Sequence, residues 1–332
     1  MSVSALMELL LVPGLLPAAL LTLGVLLVNG WTDAPNAIAT AVASGALPFS
    51  AAAALAAVCD LLGALLAAGL FPAVTETVLD LARFGGDRQA ALWALCAALG
   101  AVVLWSTAAW VFGLPTSESH GLLAGLTGAA LALEDGAVDV RAWTRVLLAL
   151  PLSMALGWLL AKALTARPGK PRSASFCRLA QRVGAAAMAL LHGAQDGQKF
   201  LGIFLLGLSL AAGWERPAGP APLWLTALCA GVMALGTALG GRRIVDTVGR
   251  DMVALDPSRG LAADLAGAGS LLVCTLLGLP VSTTHTKTAA ILGAGRRPDW
   301  SVARSIALAW ALTFPVCGLL GFLGAKFLLF FL

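Results

Sequence analysis

Asp33 and Asp196 are the residues most able to do chemistry, because each is a carboxylate set in apolar sequence. Asp33 lies in Asn29-Gly30-Trp31-Thr32-Asp33-Ala34-Pro35-Asn36-Ala37 and Asp196 in His192-Gly193-Ala194-Gln195-Asp196-Gly197-Gln198-Lys199-Phe200. A carboxylate at membrane depth is costly, and it marks an ion or proton pathway by default. Gly30, Pro35, Gly193 and Gly197 can interrupt helical hydrogen bonding, exposing carbonyls and half-helix ends that hold small ions. Asn36 and Gln195 add amide oxygens beside the carboxylates. The plainer alternative, an aspartate capping a helix at a membrane edge, is weakened by the recurrence.

A second constellation is Gly113-Leu114-Pro115-Thr116-Ser117-Glu118-Ser119-His120, matched by Gly278-Leu279-Pro280-Val281-Ser282-Thr283-Thr284-His285. Pro115 and Pro280 are expected to end one helix, and Thr116, Ser117, Ser119, Ser282, Thr283 and Thr284 to begin the next. A helix N-terminus rich in hydroxyls donates N–H and O–H groups to an oxyanion, and its dipole favours negative charge. Ordinary N-capping is the competing reading. All three histidines, His120, His192 and His285, fall inside these motifs as hydrogen-bond supports or proton carriers.

The elements that position these groups follow from the repeat. The aspartate motifs are offset by 163 residues and the hydroxyl motifs by 165, so the chain divides into residues 1–165, a linker 166–175 and residues 176–332. The fold class expected is an all-α polytopic membrane protein made of two repeats with interrupted helices and broken, re-entrant-type hairpins. In the first half the elements are an interrupted helix over 6–46, a span over 49–74, a hairpin over 90–133 and a span over 141–164. In the second they are 176–212, 221–240, 261–296 and 300–332. A helix lying on the membrane face is expected between Gly241 and Ser258, where charges mix with Ile244, Val245, Val248, Met252 and Leu255.

Composition agrees. The 332 residues are 59% hydrophobic and 11% charged, and mean hydropathy is +0.91. Lys162, Arg167, Lys170, Arg172, Arg178 and Arg182 lie in and beside the linker without an acid among them, which places it in the cytoplasm by the positive-inside rule. Glu134, Asp135 and Asp139 lie one span away, hence outside, whereas Arg259 and Arg296 at the second hairpin face the cytoplasm. The repeats are therefore expected to be inverted, with both termini outside a multi-pass cell membrane.

Other classes are disfavoured. The six cysteines show no metal spacing, and there is no phosphate-binding loop, zinc motif or dinucleotide fingerprint, so neither an enzyme nor a cofactor is expected. The net charge of +4 belongs to loops and does not imply nucleic acid. The N-terminus lacks the basic start and cleavage site of a signal peptide. An anion channel would need polar residues along whole helices rather than at two breaks, and a non-transporting membrane protein would leave the breaks without purpose.

These motifs resemble the inorganic phosphate transporter family, whose paired signature is similar to G-x-N-D-x-x-N and whose hairpins are similar to P-x-S-x-[ST]-H. The resemblance spans both halves and is closest to bacterial-type members. It implies a symporter, homodimeric in the family's manner, that carries phosphate with Na+ or H+; relatives carry sulfate, so the oxyanion stays open. Asp33, Asn36 and Asp196 match the signatures, with sodium expected at these three if sodium is the coupling ion. Ser117, Ser119, His120, Ser282, Thr284 and His285 match the hairpins. Thr32 and Gln195 depart from the asparagine before each aspartate. Lys199 stands where the second motif would repeat Asn36, and Glu118 stands where the second hairpin has Thr283. Lys199 is thus expected to replace a bound cation or attract the anion, and Glu118 to carry a proton.

Overall fold

A backbone surrounded by hydrocarbon must satisfy its own N–H and C=O groups, and helices do this within one segment. The computed structural model describes residues 3–70, 73–79, 82–84, 87–134, 137–166, 173–214 and 220–332, and these are almost entirely helical. The first half comprises α1 (Val3–Leu9), α2 (Leu15–Thr32), α3 (Ala34–Ala43), α4 (Phe49–Leu70), α5 (Ala73–Leu79), α6 (Arg88–Val111), α7 (Glu118–Leu131) and α8 (Val140–Ala166). The second comprises α9 (Ala174–Ala212), α10 (Leu223–Leu239), α11 (Arg242–Asp246), a π-helical turn (Thr247–Asp251), α12 (Pro257–Leu276), α13 (Thr283–Ala294) and α14 (Trp300–Phe330). Among the described residues six helices are long and apolar enough to cross a membrane. Their polarity is inside out: Leu308, Leu312, Leu319 and Leu323 of α14 face outward, while Asp33, Asp60, Glu118, Asp196, Lys199 and Lys287 are buried.

The hairpins are built as expected. α6 stops at Val111 and α7 starts at Glu118; α12 stops at Leu276 and α13 starts at Thr283. Gly113 and Gly278 take φ of 69° and 66°, a left-handed turn that suits glycine and redirects the chain before each proline. α7 and α13 have 14 and 12 residues, roughly 18–21 Å at 1.5 Å per residue, short of a bilayer core of about 30 Å. Each hairpin is closed at its base. β1 (Ala82–Arg83) before α6 pairs antiparallel with β2 (Ala137–Val138) after α7, and Ala254 before α12 bridges to Arg296 after α13. The chain therefore returns to the level from which it entered.

Packing between halves is reciprocal. α4 lies on α9 and α10 on α2; α14 covers α6 and α7, and α8 covers α12 and α13. The close approaches repeat too. A Cβ on Gly30 would collide with the Met233 carbonyl of α10, and one on Gly193 with the Asp60 carbonyl of α4. Likewise Gly236 abuts the Leu27 carbonyl and Gly63 that of Leu190; Leu27 and Leu190 are again 163 apart.

Three details differ from the sequence reading. α2 and α3 break at Asp33, but α9 runs unbroken through Asp196 for 39 residues. The reason is Pro35, which lacks an N–H and starts α3; Gln198 stands at its counterpart, and Gly193 and Gly197 are used instead for close contact with α4. The 241–258 segment turns 67° from α10, and Ile244, Val245, Val248 and Met252 are buried in the protein instead of facing lipid. α8 continues to Ala166 and α9 begins at Ala174, so the linker is shorter than 166–175; Arg167, Lys170, Arg172 and Asp135 lie outside the described residues.

Candidate functional site

The two hairpin tips meet. Ser117 caps α7 by accepting the His120 N–H at 3.3 Å, and Ser282 caps α13 by accepting the His285 N–H at 3.2 Å. The capping reading is thus correct for both, but a hydroxyl accepts and donates at once, so the Ser117 proton is left available. The His120 and His285 rings lie 4.3 Å apart, bringing equivalent positions of the two halves together. Trp310 of α14 stacks on His285 at 3.6 Å and donates to the Pro115 carbonyl at 2.9 Å, tying one tip to the other. Thr116 and Thr283 keep buried hydroxyls without a partner. The Gly113 carbonyl accepts from Thr247 at 2.9 Å and the Gly278 carbonyl from Thr77 at 3.0 Å, each threonine from the opposite half. Ser282→Ala is expected to lower stability by about 1 kcal/mol, the usual cost of a lost N-cap, read as a shift in unfolding temperature of the detergent-solubilised protein. No shift would show that the cap is replaced.

The carboxylates form a chain behind the tips. Asp196 accepts from Lys199 Nζ at 2.7 Å and from Asn29 at 2.9 Å, and lies 3.5 Å from His192 Nε2. Asn29 has two amide protons, and the Glu118 carboxylate accepts as well. The Thr32 hydroxyl also reaches Glu118. Glu118 is therefore gripped by α2 through both oxygens, docking the start of α7 beside the helix break. Lys199 additionally donates to Ser119 at 2.8 Å and to the Val281 carbonyl. Asn36 donates to the Asp33 carbonyl at 2.9 Å and reaches Thr284 at 3.2 Å. Asp33 Oδ1 and Asn36 Oδ1 are buried without a partner. Gln195 turns another way, donating to Thr275 at 2.9 Å and the Leu279 carbonyl at 3.2 Å, so it anchors the second tip. Among the described residues no three His, Cys, Asp or Glu side chains are placed to hold a metal; the unpartnered oxygens are of the amide, hydroxyl and single-carboxylate kind that hard monovalent cations accept.

A family model described as the phosphate transporter family matches residues 29–168 and 162–321. The probable low-affinity inorganic phosphate transporter of Bacillus subtilis is 33% identical over 307 residues, which covers 89% of this chain and 91% of the relative. The chain belongs to the phosphate transporter family. Such proteins are transporters and not enzymes. A solved structure named the sodium-dependent phosphate transporter matches with a TM-score of 0.85 at 20% identity, over 96% of this chain and 100% of that chain, so the two share a fold. The sodium-dependent phosphate transporter 1-B of Danio rerio is 34% identical over 158 residues, 46% of this chain and 24% of the relative.

This member of the phosphate transporter family has buried polar groups that the sequence reading passed over. Asp60 of α4 takes Thr237 at 2.7 Å and His192 Nδ1 at 2.9 Å, so His192 bridges Asp60 and Asp196. Asp264 of α12 pairs with Lys287 of α13 and accepts from Thr40 of α3 at 2.6 Å. An intramembrane charge is a functional candidate wherever it falls, which was signal enough for Asp60, Asp264 and Lys287. Asn29 carried a different signal, since it is the position equivalent to His192.

Proposed function

We propose that this chain is a symporter that moves inorganic phosphate across the cytoplasmic membrane with Na+ or H+ as coupling ion. The observation that carries the reading is the meeting of two hydroxyl-rich helix N-termini beside buried, unpartnered Asp33 and Asn36 oxygens. Phosphate binds between the tips, taking N–H and hydroxyl donors from 116–119 and 282–284. Asp33, Asn36, Gln195 and Asp196 compensate the coupling ion behind it, and cation and dianion lower each other's cost of leaving water. The name of the zebrafish relative supports Na+.

The halves are inverted repeats of residues 1–165 and 176–332. α2 with α3, α4 and α8 each cross once and the hairpin returns, so each half makes an odd number of crossings and its repeat starts on the opposite side. The basic linker is cytoplasmic, both termini lie outside, and a homodimer is the expected assembly. One half rocks against the other to expose the site alternately.

Radiolabelled phosphate uptake in proteoliposomes under separate Na+ and H+ gradients, with sulfate and arsenate as competitors, is the deciding measurement. Saturable accumulation blocked by arsenate and not by sulfate is expected; equilibration that tracks only the phosphate gradient would mean a channel. Under an H+ gradient Glu118→Gln is expected to lower uptake by about a hundredfold or more, in the range of a lost proton-transfer group. Unchanged proton dependence would sink the role assigned to Glu118.

A further inference from the structure

Lys199 and Asn36 hold equivalent places, each three residues after its aspartate, and their contacts are exchanged between halves. Asn36 reaches Thr284 at 3.2 Å, and Lys199 reaches Ser119, the counterpart of Thr284, at 2.8 Å. The Lys199 ammonium sits among one carboxylate oxygen, Asp196 Oδ1 at 2.7 Å, one hydroxyl oxygen, Ser119 Oγ, and one backbone carbonyl, Val281. Carboxylate, hydroxyl and backbone-carbonyl oxygens are the ligand set of a small cation, here held between α9 and the two hairpin tips. It is fully enclosed, since Lys199 is 1% exposed. On the other side of the pseudo-axis stand the Asp33 carboxylate, the Asn36 amide and the Thr284 hydroxyl. Among the described residues no side-chain cation intervenes there, and Asp33 Oδ1 and Asn36 Oδ1 have no partner. A lysine reaching water along an apolar surface leaves its head exposed; this one does not.

We infer that the Lys199 ammonium is a tethered cation that permanently fills one of two paired coupling-ion sites, leaving the Asp33, Asn36 and Thr284 site as the one that exchanges its ion in each cycle. This rests on the symport reading. The tethered charge lowers the electrostatic cost of bringing in phosphate as a free cation would, yet it never crosses the membrane and draws nothing from a gradient.

Lys199→Asn and Lys199→Gln each put an amide oxygen near the place of the ammonium, so that a mobile ion can enter; Lys199→Met supplies none. Initial phosphate uptake is measured against Na+ concentration in proteoliposomes of wild type and all three variants, with monodispersity in detergent as the fold control. The Hill coefficient for Na+ is expected to rise by about one in the Asn or Gln variant, since it is bounded by the number of sites, with one more positive charge carried per phosphate. The Met variant gains neither. A KM for phosphate that rises in all three variants with Na+ order unchanged means that Lys199 contacts the anion and overturns the inference, as does a wild-type Na+ order of two or more. A protein that moves no phosphate fails the symport reading instead. Calorimetric titration of NaCl into purified protein then decides the tethered-cation inference alone, with one more sodium site in Lys199→Asn than in wild type expected and equal numbers overturning it.

Discussion

Asp196→Asn is expected to abolish phosphate uptake and to lower the unfolding temperature sharply, whereas Asp196→Asn combined with Lys199→Met recovers the temperature and not the uptake. The cause is the enclosure of Lys199. Without the carboxylate its ammonium keeps only Ser119 and the Val281 carbonyl, and an ion pair broken from one side in a buried place costs about 3–5 kcal/mol. Removing both charges leaves a neutral contact, which in other proteins is often neutral or stabilising. Asp33→Asn provides the contrast. Asp33 has no ion-pair partner among the described residues and one of its oxygens is orphaned, so neutralising it removes a desolvation cost while deleting the coupling ligand. Its expected signature is lost uptake at unchanged or raised stability. Thermal unfolding in detergent and uptake in proteoliposomes read both quantities. An Asp196→Asn protein as stable as wild type would contradict the ion pair, and wild-type uptake in Asp33→Asn and Asp196→Asn alike would remove the carboxylates from the mechanism.

Gly193→Ala is the second large effect. The added methyl would run into the backbone carbonyl of Asp60, and backbone cannot swing aside as a side-chain tip does. Overpacking a tight interior costs about 1–3 kcal/mol, and more when the obstacle is rigid. α9 must move off α4, which also pulls His192 from Asp60, now 2.9 Å away. Gly24→Ala, in the same kind of helix but with nothing within 4 Å of its Cβ, is expected to be harmless or to gain up to about 1 kcal/mol of helix propensity. Fluorescence-detected size exclusion of detergent extracts separates the two. If both variants give the same monodisperse peak and the same melting temperature, the close approach of α4 and α9 does not govern assembly.

Much of the architecture was legible because it is written twice. The hydroxyl motifs located both helix starts to within a few residues, with Ser117 and Ser282 acting as the caps. The unbroken course of α9 was not legible. A glycine can open a helix or let another backbone approach, and at Gly193 the choice is made by Asp60, more than a hundred positions away. Asp60, Asp264 and Lys287 escaped notice for a related reason: the counterparts of the last two are Leu99 and Leu122, so comparing the halves gives no signal there. Glu118 stands out in sequence as a proton carrier at the first tip, yet its partners Asn29 and Thr32 belong to the other motif, and only the folded chain joins them. Lys199 could be singled out by its mismatch with Asn36, while the three oxygens around it come from α9, the first tip and the second tip.

The reciprocal covering of one half by the other also sets the order in which the molecule is made. α7 is a short helix rich in buried polar and small residues, and the surface that covers it belongs to α14, which leaves the ribosome long after it. Between synthesis of Glu118 and synthesis of Trp310, the first hairpin has no lid over His120 and no donor for the Pro115 carbonyl. For most of translation the nascent chain therefore holds an uncovered polar break in or beside the bilayer, a substrate for membrane quality control. A gene cut at the seam gives two fragments that each lack their own cover, and these are expected to survive only when made together, each serving the other as its chaperone.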